Sequence, residues 1–165
     1  MLISSWQGDI TTLDVDVIVN AANQKLARGS GVCGAIFAAA GPQLDVACDA
    51  IGWCDTGDAV ATPAFELPCR WVIHTVGPIY GHDPARDAGQ LASCYRRSLQ
   101  VATELGARSI AFPAISTGVY GYPPAEAASL AVATVRSEPV AGVERVVLVA
   151  FDAETAERYR CLLDA

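Results

Sequence analysis

The chain has 165 residues, of which 52% are hydrophobic and 18% are charged, and its formal net charge is -7. The length suits one domain, and the composition excludes a disordered chain, because such chains lack the apolar residues that form a core. An acidic chain without a cluster of Lys and Arg is a poor candidate for binding duplex nucleic acid or an anionic membrane. We therefore predict a single domain over residues 1–165, in which backbone amides would hold any bound phosphate.

The start of the chain and its cysteines bear on its cellular compartment. The first ten residues, MLISSWQGDI, have no basic n-region and no apolar stretch, so they do not resemble a signal peptide. We expect a soluble, cytoplasmic monomer without a membrane span. The cysteines form no CxxC pair and the chain has only two histidines, which argues against a disulfide framework, a metal or another cofactor. Buried reduced thiols are expected at Cys33, Cys48, Cys54, Cys69, Cys94 and Cys161.

Short apolar runs rich in β-formers alternate with Ala-rich segments of helical period. The predicted strands, in chain order, cover residues 2–6, 15–19, 59–65, 71–76, 109–112 and 146–150. The predicted helices cover residues 33–40, 91–105, 124–136 and 153–163. Several strands are continuously apolar, as expected when both faces of a sheet are covered. The sequence therefore predicts an α/β fold, a three-layer α/β/α sandwich around a mixed, mostly parallel central sheet.

Two glycine-rich loops follow predicted strands, at the sheet edge where α/β proteins bind ligands. The first contains Gly29, Gly31 and Gly34 and opens a helix, whose N-terminus presents free N–H groups. The second runs over residues 116–121 and has no Lys or Arg. Neither matches GxxxxGK[ST] or GxGxxG in its proper context. The two loops either form a nest for a diphosphate or are tight turns that only connect elements.

Polar and aromatic residues near these loops have two interpretations each. Asp9 could accept a hydrogen bond from the amine of an adenine, or it could cap a turn. Phe151 could stack on the adenine ring, or it could belong to the core. Asn20 and Asn23, at the end of an apolar strand, either brace the loop backbone or bind ligand hydroxyls.

Four longer motifs are more specific than any single glycine loop. They are GDIT, DVIVNAAN, VIHTVGP and FPAISTGVYGYP, and they begin at Gly8, Asp16, Val72 and Phe112. With GSGVCGAI, the late FDAE and Tyr159, these motifs resemble the macrodomain family over essentially the whole chain. The most similar branch is the MacroD type. The resemblance implies binding of ADP-ribose and of ADP-ribosylated proteins, hydrolysis of mono-ADP-ribosyl groups and deacetylation of O-acetyl-ADP-ribose.

The resemblance also implies a role for individual residues. Asp9 would bind the adenine amine, with Ile10 near the base and Phe151 on the other side of the ring. Asn23 would hold the hydroxyls of the distal ribose, and Tyr120 would lie near them. Further ligand-binding positions, most of them in the two loops that would clamp the diphosphate, are Asn20, Gly31, Val32, Gly34, Ser116, Thr117, Gly118 and Val119.

One motif departs from the family. The MacroD-type branch reads GGGGVDGAIH, with an Asp that helps to position substrate or water, whereas this chain reads ARGSGVCGAIF. Cys33 therefore stands at the Asp position and Phe37 at the His position, while Arg28 and Ser30 replace glycines. Cys33 shares a helix face with Ile36 and Phe37, which favours a structural role. Alternatively, a thiol in the first helical turn could have a lowered pKa and act as a weak base.

Two functions remain from the sequence. The first is a hydrolase in which Asn23 and Tyr120 fix the ribose, Cys33 assists at most weakly, and water attacks with help from the substrate phosphate. The second is a module that binds ADP-ribose without turning it over, which the change at Cys33 favours. A triad of Ser116, His74 and an Asp is a third possibility, but His74 lies in a predicted strand and is expected to be a core residue.

Overall fold

The computed structural model describes residues 1–138 and 140–165. Its six strands are β1 (Leu2–Gln7), β2 (Val17–Ala22), β3 (Ala59–Pro63), β4 (Trp71–Val76), β5 (Ser109–Phe112) and β6 (Arg145–Ala150). They form one sheet in the order β1-β6-β5-β2-β4-β3. Every neighbouring pair is parallel except β3 with β4, which is antiparallel. The prediction of a mixed, mostly parallel sheet is therefore confirmed.

Helices cover both faces of this sheet. They are α1 (Gly31–Ala40), α2 (Pro42–Ile51), α3 (Asp87–Glu104), α4 (Pro124–Ser137) and α5 (Ala153–Asp164). A short 3₁₀ helix (Ile10–Thr12) follows β1. Among the described residues, no single helix is long and apolar enough to cross a membrane, and the pair α1 and α2, which is long enough together, bends by 114°.

Two cores lie on opposite faces of the sheet, and β2 contributes to both. Val17 and Val19 pack into the core that includes Leu99 of α3, whereas Ile18 packs into the core that includes Ile36 of α1. Alternate side chains of a strand point to opposite faces, so a strand buried on both sides has to be apolar throughout. This confirms the three-layer sandwich predicted from the continuously apolar runs.

The structure corrects several predicted boundaries. Strands β4 and β5 match their predicted ranges, but β2 covers Val17–Ala22 rather than 15–19, because its last three residues pair with β4. Helix α3 begins at Asp87, before the apolar period becomes visible at Leu91. Helix α2 was not predicted at all. The sequence does contain start and stop signals for this helix. Pro42 occupies its first turn, and Gly52 ends it in the left-handed conformation.

The expected burial of the cysteines is confirmed at five positions and wrong at one. Cys161 is exposed, on the last turns of α5, where its Sγ donates to a carboxylate oxygen of Glu157. The helical period places Cys161 on the outer face of α5, while Tyr159 on the same helix is buried. The other five thiols lie in the protein interior.

Candidate functional site

Strand order sets the order of the loops along one edge of the sheet. Asp9 follows β1, Phe151 follows β6, the second glycine loop follows β5, and the first glycine loop follows β2. Neighbouring strands lie about 4.8 Å apart, so these four segments lie side by side, and we call the surface that they share the groove. The structure therefore brings together residues from both ends and the middle of the chain, as a site at the carboxyl ends of parallel strands requires.

One end of the groove contains Asp9 and Phe151. The N–H of Gly8 donates to the carbonyl oxygen of Ala150 across 3.0 Å, which places the two segments side by side. Oδ1 of Asp9 accepts from the backbone N–H and the hydroxyl of Thr11, at 3.0 and 2.7 Å. Asp9 thus caps the 3₁₀ helix, and among the described residues nothing donates to its other oxygen. Phe151 is 91% exposed, which excludes the interpretation of Phe151 as a core residue.

The first glycine loop ends at the N-terminus of α1. Gly31 has φ of 60°, a left-handed conformation that favours glycine. A Cβ on Gly34 would lie 2.6 Å from the carbonyl oxygen of Gly29, so only glycine lets the loop pack this closely on the helix. Ser30 occupies the N-cap position without a side-chain hydrogen bond. The first N–H groups of α1, including that of Val32, therefore remain available to an anion.

The second glycine loop presents a row of backbone amides. Within residues 1–138 and 140–165, the N–H groups of Gly118, Val119 and Tyr120 donate no hydrogen bond. The loop is held by Ser116, which is buried with φ of 66° and donates through Oγ to the carbonyl oxygen of Pro78 at 2.9 Å. A left-handed conformation in a residue other than glycine is strained and typical of functional sites.

A hydrogen bond from one of its own side chains also holds the second glycine loop. The hydroxyl of Thr117 donates to the carbonyl oxygen of Ala114 at 2.8 Å. Val119 is 88% exposed. The loop is therefore fixed by its polar groups, while its amides and one apolar side chain face solvent.

Asn23 and Tyr120 lie where the two loops meet. The side chain of Asn23 accepts from the N–H of Ala27 at 3.0 Å and donates to its carbonyl oxygen at 2.9 Å, so it braces the loop. An amide side chain has two N–H groups and two acceptor lone pairs, which leaves capacity for a ligand. Burial is the main cause that raises the pKa of the Tyr120 hydroxyl, and the nearby Cys33 raises this pKa as well. Tyr120 therefore stays protonated near neutral pH and acts as a hydrogen-bond donor.

Cys33 belongs to a buried polar network behind the groove. It is 5% exposed, and its Sγ accepts from Nδ2 of Asn20 at 3.6 Å. The same Nδ2 lies 3.1 Å from Nδ1 of His74, and Nε2 of His74 lies 2.9 Å from the hydroxyl of Thr62. Asn20 is fully buried. Its side chain is not accessible to a ligand in the groove, and it contacts side chains of Cys33 and His74 rather than the loop backbone.

The triad hypothesis fails on the same geometry. His74 is fully buried with both ring nitrogens occupied, and Ser116 donates to Pro78 rather than to His74. Burial lowers the pKa of His74 to about 4. A neutral, inaccessible imidazole cannot take a proton from Ser116, so His74 is a core residue, as the sequence indicated.

Positive charge contributes little to the groove. Arg28 of the first glycine loop pairs with Asp45 of α2 at 3.0 Å and lies 5.7 Å from the ring centre of Phe37. Its hydrogen bond to Asp45 raises the pKa of Arg28. Among the described residues, no group of three or more His, Cys, Asp and Glu side chains could hold a metal ion. An anion in this groove would meet backbone amides, as the acidic composition led us to expect.

Similarity to known proteins identifies the family of the chain. The model of the family described as Macro domain matches residues 19–131. The chain belongs to the Macro domain family. It is 55% identical over 165 residues to an O-acetyl-ADP-ribose deacetylase of Klebsiella pneumoniae, covering 94% of this chain and 93% of the relative. It is 53% identical over 135 residues to the ADP-ribose glycohydrolase MACROD2 of Xenopus laevis, covering 81% of this macrodomain and 32% of the relative.

Solved structures of other macrodomains are also similar. A macrodomain of Oceanobacillus iheyensis with ADP has a TM-score of 0.89 and 41% identity, over 95% of this chain and 87% of that one. A macrodomain of Trypanosoma brucei in complex with ADP-ribose has a TM-score of 0.90 and 37% identity, over 97% and 68% of the two chains.

The structure also has a cleft beyond the groove that was not predicted from the sequence. It has a volume of about 480 Å³ and shares Asn23 and Tyr120 with the groove. Its other walls come from segments around Trp53 and from the loop after β4, including Ile79. That loop is fixed to the second glycine loop, because the N–H of Tyr80 donates to the carbonyl oxygen of Tyr120 at 2.9 Å. The macrodomain sequence does contain a signal for this cleft. The VIHTVGP motif also ends a parallel strand, and α/β proteins bind ligands at the carboxyl ends of such strands.

Proposed function

We propose that this macrodomain binds ADP-ribose in the groove and hydrolyses mono-ADP-ribosyl groups attached to acidic side chains of proteins. One observation carries the proposal. Val119 and Phe151 are the most exposed large apolar side chains among the described residues, at 88% and 91%, and both lie in the groove with the free amides. Exposed apolar groups beside unpaired N–H groups suit a ligand with a flat base and a charged diphosphate.

The proposed ligand lies along the sheet edge in the order of the strands. Its adenine stacks on Phe151, with its exocyclic amine donating to the free oxygen of Asp9. The diphosphate accepts hydrogen bonds from the N-terminus of α1 and from the amides around Gly118. The distal ribose contacts Asn23 and Tyr120. The ligands named for the Trypanosoma brucei and Oceanobacillus iheyensis structures support this assignment by similarity.

The proposed reaction breaks the bond between C1″ of the distal ribose and the carboxylate oxygen of the modified side chain. The carboxylate leaves with the bonding electrons, the water oxygen bonds to C1″, and the water proton passes to a phosphate oxygen of the substrate. The transition state has oxocarbenium character, as in glycoside hydrolysis. Tyr120 and Asn23 hold the ribose in place, so positioning supplies much of the rate enhancement. O-acetyl-ADP-ribose, the substrate named for the Klebsiella relative, is a second expected substrate.

Cys33 supports a second candidate, a module that binds ADP-ribose without hydrolysing it. Its thiol is 5% exposed and accepts from Asn20, so it is poorly placed to remove a proton from water. The two candidates share the same groove and differ only in turnover.

One panel of substrates tests the proposal. The protein is incubated with proteins ADP-ribosylated on Glu or Asp, on Ser and on Arg, and with O-acetyl-ADP-ribose, while release of ADP-ribose or acetate is measured. We expect release from the Glu and Asp linkages and from O-acetyl-ADP-ribose. Gly118→Glu, which closes the phosphate site, serves as the inactive control. Tight binding of ADP-ribose without release from any substrate would leave the binding module as the function.

A further inference from the structure

The cleft beyond Asn23 and Tyr120 lies next in line after the distal ribose. In the sheet order, β4 follows β2 on the side away from β1 and β6. The cleft of about 480 Å³ opens between the loops after these two strands, and its size suits a small-ligand site. We propose that it binds the polypeptide segment that carries the ADP-ribosyl group, with a basic side chain of that segment beside Asp83 and Asp87. This inference rests on the proposed function.

The wall of the cleft offers apolar surface in a fixed orientation. Trp53 lines the cleft and is 50% exposed. Its indole Nε1 donates to Oδ1 of Asp55 at 2.8 Å, which orients the ring. Ile79 lines the cleft as well and is 43% exposed. An oriented indole beside an aliphatic side chain suits the methylene stem of Lys or Arg and attracts its cationic head.

Two carboxylates line the cleft on one side. Asp83 and Asp87 line it from the segment after β4, and Lys25 lines it from the loop after β2. Asp87 is 4% exposed, and its Oδ2 accepts from the N–H of Gly81 at 2.9 Å. Its Oδ1 accepts no hydrogen bond from any residue in the described ranges. Nor does Asp87 form an ion pair there, and Asp83 has only a solvent-exposed pair with Arg86 at 3.8 Å.

This distribution of charge determines which segment fits. A buried carboxylate without a cationic partner is costly unless a donor reaches it. An exposed ion pair such as that of Asp83 contributes little and exchanges readily. A Lys or Arg next to the modified residue would donate to the half-exposed carboxylate of Asp83 and bring compensating charge near Asp87, while its stem lies against Trp53. An acidic neighbour would be disfavoured at the same position.

Two matched peptides test the proposal by binding. Each carries ADP-ribose through a non-hydrolysable amide in place of the ester, and they differ only in having Lys or Ala after the modified residue. Calorimetry should show that the wild-type protein binds the Lys peptide about threefold to tenfold more tightly than the Ala peptide. The ratio of the two affinities should fall toward one in Trp53→Ala, Asp83→Asn and Asp87→Asn. In Asp87→Asn the amide oxygen still accepts from the N–H of Gly81. Asp14→Asn makes the same charge change at the opposite edge of the sheet and should keep the full preference.

Affinity for ADP-ribose alone separates the two proposals. It should be unchanged in Trp53→Ala, because free ADP-ribose ends at Asn23 and does not enter the cleft. Equal affinity of the wild-type protein for the two peptides, or a preference that survives all three variants, would overturn the cleft assignment. Absence of ADP-ribose binding would overturn the proposed function and this inference together. If the protein binds ADP-ribose without turnover, only the proposed hydrolase activity is overturned. The cleft assignment stands or falls separately, because the preference between the two peptides is measured at equilibrium.

Discussion

The side-chain amide of Asn20 donates a hydrogen bond to Sγ of Cys33 across 3.6 Å. This contact joins the carboxyl end of β2 to the first turn of α1, at the position where the chain departs from the MacroD-type motif. We therefore expect Cys33 to hold the first turn of α1 against β2, a positioning role that requires no ionised thiol.

Cys33→Ala tests this role. We expect activity on an ADP-ribosylated protein to stay within about tenfold of wild type, a change of about 1.4 kcal/mol in the barrier, because the substrate phosphate takes the proton. Steady-state kcat/KM is the measurement. Cys48→Ala removes a buried thiol from the same core away from the loop and controls for lost packing. If Cys33 were a general base, the folded variant would lose about 10²- to 10⁴-fold.

Gly118→Glu should abolish ADP-ribose binding without unfolding the protein. A Cβ at Gly118 has no atom within 4 Å, so the fold tolerates a side chain there. The added carboxylate would occupy the phosphate position and repel the diphosphate. Calorimetry and thermal melting check both parts. Gly89→Glu adds the same side chain at another open glycine, on α3, and should bind normally. Normal binding by Gly118→Glu would mean that the second loop is only a turn.

Asp9→Ala should weaken ADP-ribose binding by about 1.5–3 kcal/mol, the value of a hydrogen bond to a charged group. The same change removes the cap from the 3₁₀ helix, so some stability is lost as well. Asp9→Asn separates the two effects, since its amide oxygen can still accept from the N–H of Thr11 while its NH₂ group cannot accept from the adenine amine. Equal affinities of the wild-type and Asp9→Ala proteins in calorimetry would remove the adenine assignment.

The burial of His74 predicts a dependence of stability on pH. Its pKa is about 4 in the folded protein against 6.5 when unperturbed. The unfolded chain binds the proton more readily, so stability is complete above pH 6.5 and falls as the pH drops toward 4. The loss reaches about 3 kcal/mol, at about 1.4 kcal/mol for each pH unit. Urea unfolding from pH 7 to pH 4 measures it. His74→Gln should flatten this dependence, whereas His82→Gln, at an exposed position, should not.

Some features of the site follow from local sequence. The face of α1 that carries Cys33, Ile36 and Phe37 was predicted from the helical period and is buried as expected. The glycines were recognised by composition, and Gly31 and Gly34 each have a local reason to be glycine. The acidic composition of the chain predicts that any bound phosphate would be held by backbone amides. These inferences need only overall composition or residues that lie close together along the chain.

Other features depend on contacts between distant segments. Asp9 lies beside Phe151 only because β1 pairs with β6, the first strand with the last. The cleft exists only because β4 lies beside β2, which places Trp53 and Asp87 beyond Asn23. Periodicity and turn signals describe a few consecutive residues and carry no information about which strands become neighbours. The sequence alone therefore determined most of the elements and the family resemblance. The tertiary structure decided the order of the loops along the groove, because strand pairing is set by packing across the whole chain.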